Sequence, residues 1–261
     1  MAGGKKEMTK EEIMRIALEQ SAIDANCRPE DFISGQNRTV ISKANEKARK
    51  YLELPSYCML ISYGDNIVAS VDPAVSDEVE KYLGRFQIGH CFGKPNLYLL
   101  NDLFARDDRQ ICFMAEYFLP DSERLRAMPC DYEIRILFPE DLESLYLPQW
   151  SNALSSQRRE LDVLAAGAWH EGKLVGLAGC SADCDTMWQI GVDILPEYRR
   201  RGIAAALTSR LALEILERGK VPFYCAAWAN LKSVRNAIRC GFEPAWVEVD
   251  ARPAAFIKKI N

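Results

Sequence analysis

The chain has 261 residues, 48% of them hydrophobic and 27% charged, the make-up of a soluble globular protein with one large or two small domains. Its 33 Lys and Arg against 37 Asp and Glu leave a net charge of −4, which argues against non-specific nucleic-acid binding, because phosphate attraction needs a basic surface. No apolar run is long enough to span a bilayer, and the opening Gly3-Gly4-Lys5-Lys6-Glu7 is no signal-peptide core, so a cytoplasmic protein without a membrane partner is expected.

In chain order, Thr9 is followed three residues later by Glu12, the spacing of a capping box. Ile13, Met14, Ile16, Ala17 and Leu18 then recur at helical spacing, so a helix is predicted over 8–20. Residues 28–37 read as a loop or short helix. Residues 57–63 and 67–71 read as two strands joined by the tight turn Gly64-Asp65-Asn66. Helices over 73–83 and 95–105 and a strand over 111–118 complete a small α/β module in which no motif names a chemistry. The segment 119–129 is polar, carries Pro120 and Pro129 and has no period, so a domain joint is placed there, dividing the chain into 1–125 and 126–261.

Past the joint, a strand over 132–137 and a helix over 139–145 precede three successive strands, 161–169, 173–182 and 186–195. The turns between those three are His170-Glu171-Gly172 and Asp183-Cys184-Asp185. All five tryptophans (Trp150, Trp169, Trp188, Trp228, Trp246) fall in this half, as core residues or, best for Trp228, as part of an acceptor cleft. The nine cysteines are scattered without a Cys-x-x-Cys, and His90 and His170 sit in unrelated places. Reduced thiols and no metal site are expected.

The most informative stretch is 188–207. Ile190, Val192 and Ile194 mark a buried strand that Pro196 must end. Ala204, Ala205, Ala206, Leu207 and Leu211 open an amphipathic helix after Gly202. A helix N-terminus has backbone N–H groups without internal partners and a partial positive charge, which suits a phosphate or pyrophosphate. Gly202 leaves room for an anion against the backbone, and Arg199, Arg200 and Arg201 add charge at the rim. The glycine spacing fits neither a Walker loop nor a dinucleotide fingerprint.

Arg199-x-x-Gly202-x-Ala204 after a strand resembles the coenzyme A pyrophosphate motif of the GNAT N-acetyltransferases. A strand over 221–227, Asn230-x-x-Ser233 and Gly241-Phe242 follow in the order that family shows, and the resemblance covers about 131–261. It implies an α/β fold, a GNAT-like mixed sheet flanked by helices, with the smaller N-terminal α/β module outside it or as a degenerate GNAT-like half. It also implies acetyl-CoA as co-substrate and a small-molecule or peptide amine as acceptor. Val192 and Ile194 would meet the thioester arm through their main chain. Arg199, Arg200, Arg201, Gly202, Ile203, Ala204, Ala205, Asn230 and Ser233 would complete the cofactor site.

The family's proton-handling side chains are missing from their usual places. A carboxylate five or six residues before Ile194 is replaced by Gln189 and Trp188, and a tyrosine seven residues after Asn230 by Ala237. Asp183, Asp185, Asp193, Glu197 and His170 are substitutes among which the sequence does not choose, so no catalytic residue is assigned. Two functions follow: an N-acetyltransferase, or a coenzyme A-binding sensor or scaffold without turnover.

Overall fold

The computed structural model describes residues 8–260; the first seven, with the signal-peptide question, lie outside it. Contacts between Cα atoms divide the chain into two compact units. Among the described residues, one comprises Leu18–Tyr117 with 245–260, and the other comprises Phe118–Pro244 with 8–17.

The predicted capping box opens α1 (Lys10–Ala25): Thr9 N–H donates to Glu12 Oε2 at 2.9 Å and Glu12 N–H to Thr9 Oγ1 at 3.2 Å. The first unit continues with β1 (Arg38–Ile41), β2 (Cys58–Ser62), β3 (Val68–Val71), α2 (Ser76–Arg85), α3 (Ile88–Cys91), α4 (Lys94–Phe104) and β4 (Arg109–Pro120). Its strands stand in the order β1-β3-β2-β10-β4, where β10 spans Phe242–Pro253 and leads into α8 (Ala254–Ile260). The hairpin of β2 and β3 forms as its Gly64 turn predicts, whereas β1, parallel to β3, has no sequence signal of its own. Residues 245–253 group with the N-terminal residues because β10 pairs antiparallel with β2, Val247 opposite Ser62 through Asp250 opposite Met59.

Trp246 belongs to the core of this unit. Its ring stacks at 4.7 Å on Tyr117 and at 5.4 Å on Tyr63, and its Nε1 donates to Glu248 Oε1 at 2.7 Å. The Arg49 guanidinium lies 5.3 Å from the indole and pairs at 2.5 Å with Asp24, both side chains 1% exposed. Burial raises the Glu248 carboxyl above its ordinary value, although Arg49 opposes this.

The second unit runs β5 (Glu133–Leu137), α5 (Pro139–Leu142), β6 (Asp162–His170), β7 (Lys173–Ser181), β8 (Met187–Ile194), α6 (Ile203–Glu217), β9 (Val221–Ala227) and α7 (Leu231–Arg239). Its strands follow the order β4-β9-β8-β7-β6-β5, antiparallel from β5 to β8 and parallel between β8 and β9. This is an α/β mixed sheet flanked by helices, as expected. The β6–β7 hairpin turns on Glu171 and Gly172, both at positive φ. α6 buries Ile203, Leu207, Leu211 and Ile215 against the sheet. All nine cysteines are free, and no described helix is long and apolar enough to cross a membrane.

Removing a carboxylate from a buried ion pair leaves the other charge uncompensated. Asp24→Ala should therefore lower stability by about 3–5 kcal/mol in urea denaturation, and a loss below about 1 kcal/mol would show the pair to be dispensable.

Candidate functional site

β8 keeps its β7 partners along its whole upper half, from Ser181 opposite Gln189 to Gly176 opposite Ile194. Its pairing with β9 ends at Ile190 opposite Tyr224, although β8 runs on to Ile194 and β9 to Ala227. Leu195 N–H donates to Val175 O at 3.0 Å, so alternation along the strand turns the N–H and C=O of Val192 and Ile194 toward the β9 edge. The two parallel strands thus leave a seam with β8 backbone groups along one side.

The seam leads into the N-terminus of α6. After Pro196–Tyr198 the chain turns through Arg200 at φ 64° and Gly202 at φ 81°. A residue with a Cβ in that left-handed conformation is strained by roughly 1–2 kcal/mol, which explains the glycine. No side chain caps the helix, and a Cβ at Gly202 would meet nothing within 4 Å, so the space before the first turn is open. The sequence-predicted Ile203, Ala204 and Ala205 form this first turn, and their N–H groups have no carbonyl inside the helix to bond.

The three arginines do not converge on that space. Arg199 Nε donates to Ile194 O at 3.0 Å, occupying one backbone acceptor of the seam. Arg201 Nη1 donates to the Tyr132 hydroxyl at 2.8 Å, and its guanidinium lies 5.4 Å from the Tyr198 ring. Arg200 is exposed. Asn230 and Ser233 are turned toward each other: Asn230 Oδ1 accepts from Ser233 N–H at 3.2 Å and caps α7. Ser233 Oγ in turn bonds the Tyr224 hydroxyl at 2.8 Å, and burial raises that phenol above its ordinary value. Tyr132, Tyr198 and Tyr224 carried no motif; each is found only through its contacts.

Side chains of β8 divide between the two faces of the sheet. A Cβ at Gly176 would strike Ile194, Ile203 and Leu207, which puts Ile190, Val192 and Ile194 on the α6 face. Gln189, Gly191 and Asp193 face the other way. There the segment Asn152–Leu154 lies flat on the sheet over Gly179 and Gly191, a cross-strand pair at which any Cβ would collide with the carbonyls of Ala153 and Asn152. Asp193 holds this segment by accepting from Asn152 N–H at 2.8 Å, Asn152 Nδ2 at 2.6 Å and Ala153 N–H at 3.0 Å.

Among the other candidate proton carriers, Asp183 is fully buried and paired with Arg158. Glu197 pairs with Lys173 at 3.3 Å; a backbone hydrogen bond foremost, and then this pairing, hold its carboxyl low. Asp185 lies in the β7–β8 turn, where its carbonyl accepts from Lys220 Nζ. His170 Nδ1 lies 3.1 Å from the Tyr198 hydroxyl. Ala237 is wholly buried in the core that α6 and α7 share, so no tyrosine could be accommodated there without repacking. Trp150 is buried as well, while Trp228, just past β9, is 43% exposed.

One buried carboxylate belongs to no sequence motif. Asp162, 3% exposed at the start of β6, accepts from Ser155 N–H at 2.8 Å, and burial pushes its carboxyl up to about 6. A lone acid opening an otherwise apolar strand was the available signal.

Residues 108–245, just over half of the chain, match the family model described as GNAT acetyltransferase. No curated protein matches the sequence. Among solved structures, the chain is similar to a GNAT-family protein from Novosphingobium aromaticivorans (19% identity over 55% of this chain and 66% of that one, TM-score 0.44). It is also similar to a GCN5-related N-acetyltransferase-like protein from Streptococcus suis (22% identity, 61% and 69%, TM-score 0.44). An aminoglycoside N-acetyltransferase in complex with CoA gives 21% identity, 46% and 92% coverage and a TM-score of 0.35. The chain spans just under two thirds of the first of these structures.

A carboxyl group whose folded value lies above its unfolded value of about 3.8 makes the folded state lose stability as pH rises between the two. Asp162→Asn and the parent protein should therefore melt alike near pH 4, with the variant gaining ground as pH rises to 6 and no further change above it. Parallel melting curves over that range would show that burial does not raise the Asp162 carboxyl.

Proposed function

Since the chain belongs to the GNAT acetyltransferase family, we propose that it moves an acetyl group from acetyl-CoA to the amine of a small molecule or peptide by direct attack. The observation that carries this reading is the seam: a β8 edge with no strand partner is followed, past the turn at 195–202, by a helix N-terminus that no side chain caps. An extended amide-bearing arm suits the first and a pyrophosphate the second.

In this reading the main chain of Val192 and Ile194 lines the thioester arm, and an N–H on that edge receives the oxyanion as the amine nitrogen attacks the carbonyl carbon. The first-turn N–H groups of Ile203, Ala204 and Ala205 hold the pyrophosphate beside Gly202. Arg200 approaches from solvent, while Arg199 and Arg201 exchange Ile194 O and the Tyr132 hydroxyl for phosphate oxygens. Asn230 and Ser233 act through structure, capping α7 and holding Tyr224 at the last β8–β9 pair. The C–S bond breaks with its electron pair on sulfur, and a thiolate of reference pKa about 8.5 leaves readily without a side-chain acid.

A coenzyme A sensor without turnover is the second reading, favoured by the amide of Gln189 where a base is usual and by the burial of Ala237. Thiol release from acetyl-CoA in the presence of an Ala-Ala dipeptide, tyramine or spermidine separates the two. Release with any of them supports transfer, and tight binding without release supports the sensor.

The cofactor placement has its own test in calorimetry. Ala204→Glu adds a negative charge to the first turn, which favours the helix dipole by about 0.3–1 kcal/mol but repels a pyrophosphate. The variant should be at least as stable as the parent and bind acetyl-CoA at least about tenfold more weakly. Gly202→Val should likewise abolish binding in a folded protein. Unchanged affinity in both would refute the placement.

A further inference from the structure

The sheet face opposite α6 carries a line of polar groups that the transfer reading leaves unused. Register sets Asp162 of β6 opposite Ser181 of β7, and Ser181 opposite Gln189 of β8. Directly opposed residues share a face of the sheet; at Asp162, where the register shifts before Leu164, the bond from Ser155 N–H keeps the carboxylate on the face that carries the 152–154 segment. Gln189 Nε2 then donates to Cys225 Sγ at 2.9 Å, and Cys225 is the first residue of β9 beyond its last pair with β8. The row thus starts at the mouth of the seam and ends, three strands away, at a buried carboxylate.

Two features set this row apart from ordinary strand polarity. Ser181 Oγ is buried and has no hydrogen-bond partner, so its donor and acceptor capacities are both open midway along the line. A buried hydroxyl left that way is costly unless something uses it. Asp162 is tied at one oxygen to Ser155 N–H, which fixes the carboxylate without neutralising it. Its titration near 6 leaves it ionised at neutral pH and still basic enough to take a proton. The groups facing it are the Tyr146 hydroxyl, Arg158, Asp183 and Cys180. Asp183 is engaged by Arg158, and burial raises both the Tyr146 phenol and the Cys180 thiol, so Asp162 is the proton acceptor of the group at neutral pH.

We propose that Asp162 is the proton sink of the transfer reaction, receiving the proton of the acceptor ammonium through water oriented by Gln189 and through the Ser181 hydroxyl. This rests on the transfer reading above. One proton passes from R–NH3+ to the Asp162 carboxylate, leaving R–NH2 and a neutral carboxylic acid. The amine lone pair forms the C–N bond while the C–S bond breaks, and the departing thiolate takes the second proton from nitrogen. Asp162 then returns its proton to solvent. Asp162 is a positioning and relay residue, since it never touches the acceptor. A base of this strength suits an α-amino group, of reference pKa about 7.7–8.0, better than a side-chain amine at about 10.4.

The test is the pH profile of kcat/KM for thiol release from acetyl-CoA between pH 5 and 9. The Ala-Ala dipeptide is the first acceptor, with tyramine and spermidine beside it, and the fastest is used throughout. The parent protein should show a rising limb with its midpoint near 6. Asp162→Asn should lose that limb and about a hundredfold in rate at neutral pH while remaining folded, the low end of what a general base contributes. Ser181→Ala should lose about tenfold and keep the limb. Gln189→Glu, which sets a carboxylate at the seam itself, should restore most of the rate lost by Asp162→Asn, a rescue that a merely structural Asp162 would not show. A limb that persists in Asp162→Asn, or a double variant no faster than Asp162→Asn, overturns the relay and leaves the transfer reading standing. A parent protein that binds acetyl-CoA and releases no thiol overturns both.

Discussion

Two parallel strands that stop pairing before they end create everything the candidate site uses. Up to Ile190 and Tyr224 the ladder between β8 and β9 satisfies both backbones; beyond them the β8 edge at Val192 and Ile194 has no strand partner. Unpaired backbone groups are costly when buried, so such an edge must meet water, a side chain or a ligand. Arg199 Nε meets one of them at Ile194 O. The Arg199 side chain is otherwise exposed to solvent. The turn at Arg200 and Gly202, both left-handed, then brings the next set of unpartnered N–H groups into line with the first.

The other face of the same strands is built by different means. A flat glycine pair, Gly179 and Gly191, lets the backbone at 152–154 lie directly on the sheet. Two carboxylates tie that segment down, Asp193 at one end and Asp162 near the other. These acids differ in environment and therefore in chemistry. Asp193 accepts three N–H bonds from the segment, whereas at Asp162 desolvation raises the carboxyl.

The first unit obeys a separate logic. A guanidinium, two carboxylates and three aromatic rings are packed where apolar residues would be simpler. Buried ion pairs seldom add stability over apolar replacements. With Arg49 against Trp246, and Trp246 bonded to Glu248, the cluster ties the segment around Arg49 to β10 through directional bonds.

The sequence by itself determined the elements whose signals are local. The capping box at Thr9, the Gly64 hairpin, the strand ended by Pro196 and the helix after Gly202 each depend on neighbours a few residues away, and each forms. Local chemistry could not place the residues that act across strands. Trp246 reads as an aromatic of the C-terminal half, yet β10 carries it into the core of the first unit by pairing with β2. Arg199 and Arg201 read as phosphate ligands from their spacing, and only the fold shows that their side chains reach Ile194 O and the Tyr132 hydroxyl. Asp162, Ser181, Gln189 and Cys225 are spread over more than sixty residues of chain and become a row only through register. Sheet register and desolvation are long-range properties; tertiary structure alone decides which polar groups they bring together and which of them can hold a proton.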